Sequence, residues 1–147
     1  MTRMSMLLIV MFVAMQLCFS SKSPLLAAYQ LQFSQNPVQN GKKIYEQTCL
    51  PCHQVDGSGV PGMNPPLINS VYVQGPANRL IGIVLHGLND GVEIEGEAYS
   101  NPMPAFATVL TDGEVANVLT YLRNHFSNMA GQISPSQVRR VRQNQKN

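Results

Sequence analysis

The chain has 147 residues and a formal net charge of +2, with only 12% charged residues, so a single domain of modest size is expected. Its basic residues form no stripe across the expected domain, which excludes a nucleic-acid footprint. Residues 1–28 stand apart from that domain. Arg3 precedes the apolar run Met6–Phe19, and polar and small residues follow from Ser20 to Ala28, the order of a secretory signal. The run has 14 residues, short of the roughly 18 that a membrane span needs, so cleavage after Ser20 or Ala28 is expected and no span in the mature chain. An uncleaved anchor is the alternative. Removing 28 of 147 residues leaves 119, and losing Arg3 and Lys22 takes the 10 basic residues to 8, equal to the 8 acidic ones. The remaining charges segregate into an acidic segment (Asp90, Glu93, Glu95, Glu97) and a basic tail (Arg139, Arg140, Arg142, Lys146).

Residues 29–39 read as an irregular leader. Asn40 then suits the N-cap of a first helix through Gly41, Ile44, Tyr45 and Thr48. That helix leads into Cys49-Leu50-Pro51-Cys52-His53, a c-type haem attachment motif: two thiols three positions apart reach the two vinyl groups of one porphyrin, and the adjacent imidazole supplies an axial ligand. The rival readings are a thioredoxin-like dithiol, half of a zinc site and a chance pair. The first lacks a βαβ context and the second lacks another ligand pair, because the only other cysteine is Cys18 in the export segment.

Glycine and proline crowd Gln54–Pro66 and forbid a regular helix there. A second helix is expected from Pro76 to His86, with Leu80, Ile81, Val84 and Leu85 on its buried face and Gly87 at its C-terminal cap. The alternation in Val92–Tyr99 around Glu95-Gly96 fits a small hairpin. Thr111 and Glu114 form a capping box for a third helix, with Leu110 and Val115 as a hydrophobic staple and an apolar stripe from Val115 to Phe126. Ser134-Pro135 starts a short last helix.

An iron that carries electrons without chemistry at the metal needs a second axial ligand. Of the 8 methionines, five fall in the export segment, leaving Met63, Met103 and Met129. Met63 follows His53 too soon to cross to the other face, and Met129 has no obvious anchor. Met103 lies between Pro102 and Pro104, which stiffen the backbone around its sulfur. Against this stand a gap-filling core methionine and His86 as the ligand; His86 and His125 also read as surface histidines in last helical turns.

From Asn40 to Phe126 the chain resembles a class I c-type cytochrome. The resemblance rests on Gly41 and Tyr45, the Cys49–His53 motif, Pro65 and Leu67, and Met103-Pro104 ahead of the last main helix. The stretches Leu80–Gly87 and Met103–Phe106 look like the small cytochromes and cytochrome domains that serve periplasmic dehydrogenases and reductases. The resemblance implies an all-α cytochrome c fold: three main helices around one haem c held by two thioethers, a small hairpin and a short C-terminal helix. It implies that Gly41 lets the first helix cross the last beside Tyr121, that the Pro65 carbonyl orients His53, and that Leu67 lines the haem pocket. The chain has no tryptophan, so Tyr72, Arg79 and Tyr99 are the candidates for propionate contacts.

The expected organisation is a signal over 1–28, a leader over 29–39, a cytochrome domain over 40–126 and a C-terminal extension with a basic tail over 127–147. The expected function is a periplasmic one-electron carrier, not an enzyme, with Cys49 and Cys52 binding the haem and His53 and Met103 ligating its iron. Redox partner proteins are implied. The alternatives are a subunit docked to a larger dehydrogenase, nitrite reductase or oxidase, and a haem enzyme or gas sensor with an open sixth position.

Overall fold

Asn36 caps the first described helix: its side-chain carbonyl accepts from the backbone N–H groups of Val38 (3.1 Å) and Gln39 (3.2 Å), and Pro37 occupies the first helical position. The computed structural model describes residues 36–144; the export-signal and leader readings up to residue 35 lie outside them. Helix α1 therefore runs Pro37–Ile44, and Asn40 lies inside it rather than at its cap. The sequence offers two asparagines four positions apart, and the one followed by proline takes the cap because that proline gives up no needed donor.

Past Ile44 the helix widens into a π-helical turn over Tyr45–Cys49, in which Leu50 N–H reaches back to Tyr45 O, before the short helix α2, Leu50–His53. The Tyr45 hydroxyl closes this stretch by donating to Gln54 O at 2.5 Å. Helix α3 spans Val71–Gln74 and α4 spans Ala77–His86, the latter capped at Gly87, whose φ is 73°. Strands β1 (Val92–Ile94) and β2 (Glu97–Tyr99) pair antiparallel with Val92 opposite Tyr99. Glu95 (φ 54°) and Gly96 (φ 82°) turn the chain between them, both on the positive side that a two-residue I′ hairpin needs.

Helix α5, Asp112–Arg123, starts from the expected capping box: Thr111 accepts from Glu114 N–H, and Glu114 accepts from Thr111 N–H at 2.8 Å. Helix α6, Pro135–Asn144, begins at a similar exchange between Ser134 and Gln137. The fold is thus the all-α one expected, with a two-stranded sheet and a C-terminal helix.

Helices α1 and α5 cross at Gly41, where a Cβ would lie 2.1 Å from Asn117 O and 2.6 Å from Tyr121 Cβ. Only glycine allows that approach. The core joins Tyr45, Val73, Leu80, Ile81, Leu85, Val115, Val118, Leu119 and Leu122, with Ile133 and Val138 contributed by the chain after α5. That last part folds back rather than trailing away: Thr120 Oγ1 exchanges hydrogen bonds with the backbone of Ile133. Arg123, 8% exposed, donates to the carbonyls of Gly131, Val73 and Gly75.

Candidate haem site

A cleft opens between α2, the loop after it, α4, the hairpin and α5. Cys49, Cys52, His53, Pro65, Leu67 and Met103 all line it. Its inner wall is apolar, formed by Leu80, Val84, Val118, Leu119 and Leu122.

The attachment side is built locally. The π-helical turn delivers Cys49, α2 delivers Cys52 and His53, and Gln54 (φ 66°) ends the helix immediately after the imidazole. Burial pushes the Cys49 thiol above its ordinary pKa, with the Thr48 hydroxyl opposing this and Cys52 adding to it. His53 is held below its ordinary value by burial, which outweighs the Pro65 carbonyl. His53 Nδ1–H donates to Pro65 O at 2.9 Å, which fixes the tautomer and leaves the lone pair on Nε2.

That carbonyl is placed by Gly59, where φ is 69° and a Cβ would meet Asn64 O at 2.3 Å and Pro65 O at 2.7 Å. Gly59 N–H also returns to His53 O (3.1 Å). The next stretch is held by Asn128, 4% exposed: its side chain donates to Leu67 O (2.8 Å) and Leu122 O (2.9 Å) and accepts from Ser70 N–H (2.9 Å). Neither Gly59 nor Asn128 was expected as a site residue. A glycine in a glycine-rich loop and an asparagine after a helix give no distinguishing signal; only the chain they approach does.

Met103 is fixed through its backbone. Its N–H donates to Leu88 O (2.8 Å) and its carbonyl accepts from Leu88 N–H (3.0 Å). Gly87 permits this, since a Cβ there would lie 2.3 Å from Met103 O. Ahead of Met103, Asn101 N–H bonds Met63 O (3.0 Å) and the Asn101 side chain bonds that of Asn64 (3.2 Å). The loop that orients His53 and the segment that carries Met103 are therefore tied to each other directly. The other methionines among the described residues are exposed, Met129 at 90% and Met63 at 47%. His86 and His125 are also exposed, the latter stacked on Tyr121 with ring centroids 4.7 Å apart.

Tyr72 and Tyr99 line the cleft, but Arg79 is not among the lining residues. Its guanidinium lies 4.5 Å above the Tyr72 ring instead, an attraction that the ring face offers a helix-borne cation. Among the described residues, no group of three or more histidine, cysteine, aspartate or glutamate side chains could hold a metal ion by itself, so the zinc reading finds no ligand set there. The donor set present, two thiols, a neutral imidazole and a thioether around apolar walls, fits a haem c.

The family model described as Cytochrome c matches residues 38–126. This chain belongs to the cytochrome c family. That family binds haem c covalently through a motif of the Cys49–His53 type. Cytochrome c-552 of Thermus thermophilus is 40% identical over 87 residues, covering 56% of this chain and 65% of that protein. The fructose dehydrogenase cytochrome subunit of Gluconobacter japonicus is 34% identical over 110 residues, 70% of this chain and 22% of the subunit. A cytochrome c subunit of the quinone-dependent alcohol dehydrogenase of Gluconobacter oxydans is 32% identical over 106 residues, 69% of this chain and 22% of its own length. The chain thus spans less than two thirds of the Thermus cytochrome and about a fifth of the dehydrogenase subunits. Among the described residues no helix is long and apolar enough to cross a membrane.

Proposed function

We propose that this cytochrome carries single electrons through one haem c, bound by Cys49 and Cys52, with His53 and Met103 as the two axial side chains. The observation that carries the reading is the shared restraint on the two ligands: His53 is oriented by Pro65, Met103 is clamped to Leu88, and the two segments are hydrogen-bonded through Asn64 and Asn101. Haem c supplies the one-electron chemistry, with sulfur ligation favouring a higher potential than two imidazoles give. The chain's part is to hold both ligands in either oxidation state and to keep water out with Leu67, Leu80, Val84 and Leu119. The Pro65 carbonyl keeps the proton on Nδ1 and so keeps Nε2 basic.

The ferric spectrum tests this directly. The long-wavelength sulfur-to-iron band is expected in the native protein and lost in Met103→Ala; a native protein without it refutes Met103 as ligand. A ferrous form that binds carbon monoxide rapidly would instead favour a gas-binding or enzymatic site.

We further infer export to the periplasm, supported by the Arg3, Met6–Phe19 and Ser20–Ala28 order. N-terminal sequencing of the purified protein is expected to begin after Ser20 or Ala28. The dehydrogenase subunits among the relatives favour a second reading, a redox subunit docked to a larger dehydrogenase. Gel filtration of a native extract separates the two: a haem-containing species of the chain's own size is a free carrier, and a much larger one is a complex.

A further inference from the structure

Arg142 lies outside the stretch matched to the family, in α6, yet its guanidinium is directed at the segment that leaves Met103. Nε donates to Asp112 Oδ1 at 2.8 Å, Nη2 donates to Leu110 O at 3.0 Å, and Nη1 donates to Ala107 O. All three acceptors fall between Met103 and the first turn of α5. On its other side the same segment is held by Phe106 N–H to Val84 O (3.0 Å) and Ala107 N–H to Leu85 O (3.1 Å). Phe106 and Leu110 line the cleft. Residues 103–112 therefore form a strap fastened to α4 from within and to α6 from without, and Arg142 makes the outer fastening. Arg139 touches the strap only through Asp112, at 3.3 Å and with a side chain 65% exposed.

We propose that Arg142 is a positioning residue for the axial sulfur: by fixing the strap it suppresses the conformation in which Met103 leaves the iron. This rests on the His53 and Met103 ligand reading. A thioether is a weak ligand, so its retention depends on how little freedom its segment gains on release. Lysine cannot replace the guanidinium here, since a single ammonium does not reach three acceptors in a planar fork.

The test is competition by imidazole against the sulfur in the ferric holoprotein, followed by loss of the long-wavelength band. An outside ligand binds only the released state, so its apparent affinity rises in proportion to the fraction released. Arg142→Gln is expected to lower the half-saturating imidazole concentration about tenfold, Arg142→Lys to fall between it and the native protein, and Arg139→Gln to stay within about twofold of native. If Arg142→Gln does not accumulate as holoprotein, Arg142→Lys against Arg139→Gln carries the same comparison. A native band with unchanged imidazole affinity in the Arg142 variants overturns the role of Arg142 alone. An equal rise in Arg139→Gln overturns it too, by assigning the effect to the charge around Asp112. A native ferric protein with no sulfur band overturns the ligand reading, and this proposal with it.

Discussion

A methyl group at position 41 would lie 2.1 Å from Asn117 O, closer than any non-bonded contact permits, so Gly41→Ala must push α1 and α5 apart. The expected cost is about 2–3 kcal/mol, the upper part of the range for forced overpacking, read as a lowered denaturation midpoint in the holoprotein. Asn128→Ala is expected to cost a similar amount, about 2 kcal/mol or more by denaturant titration, because it strands Ser70 N–H, Leu67 O and Leu122 O in the interior. These two positions mark what a sequence does and does not disclose. Gly41 stood out through the resemblance to class I c-type cytochromes, which implies a glycine where the first helix crosses the last. Asn128 and Arg123 gave no such signal, because what makes them internal lies far away in the chain: Leu67 and Ser70 for Asn128, Val73 and Gly75 for Arg123. Cys49, Cys52 and His53 were legible for the opposite reason, since their spacing alone dictates the chemistry.

Among the elements, the α5 cap is the cleanest case: Thr111 and Glu114 satisfy each other's backbone within four residues, so the start of that helix can be read locally. Thr111→Ala is expected to cost about 1 kcal/mol, measured as a shift in thermal midpoint with the spectrum unchanged. The hairpin was legible through Glu95-Gly96 for the same reason. The π-helical turn at Tyr45–Cys49 and the helix Val71–Gln74 were not. A widened turn leaves no mark in residue periodicity over five positions, and a four-residue helix is stabilised by what it packs on. The basic tail changes meaning as well. Arg139 and Arg142 both engage Asp112, so part of the cation cluster that read as a free basic extension is taken up inside the chain.

Over the whole molecule, acid stability depends on carboxylates held low in the folded state, Asp112 and Glu114 among them. Burial pushes Asp112 up, but the hydrogen bonds of Arg142 and Arg139 more than reverse this, and Glu114 is lowered by its bonds to the Thr111 backbone and hydroxyl. Both sit lower folded than unfolded. Their contribution is therefore complete above the ordinary carboxylate range and drains away as pH falls through the folded values. Asp112→Asn is expected to flatten the pH dependence of the denaturation midpoint below pH ~4, with little change in slope between pH ~6 and ~8. A second expectation concerns rate. On the proposed removal of the export segment, 8 basic and 8 acidic residues would be left, and electron exchange with a small charged reagent is then expected to vary little with ionic strength, unlike that of a strongly charged carrier.

The crossing at Gly41 also bears on how the thioethers come to be made. Helix α1 has no partner until α5 is delivered more than seventy residues later, and a helix of eight residues is not stable alone in water. Closing so long a loop is slow compared with local turns. Until it closes, the Cys49–His53 stretch follows a helix that lacks its packing partner, so its two thiols are expected to be more open before the Gly41 crossing forms than after it.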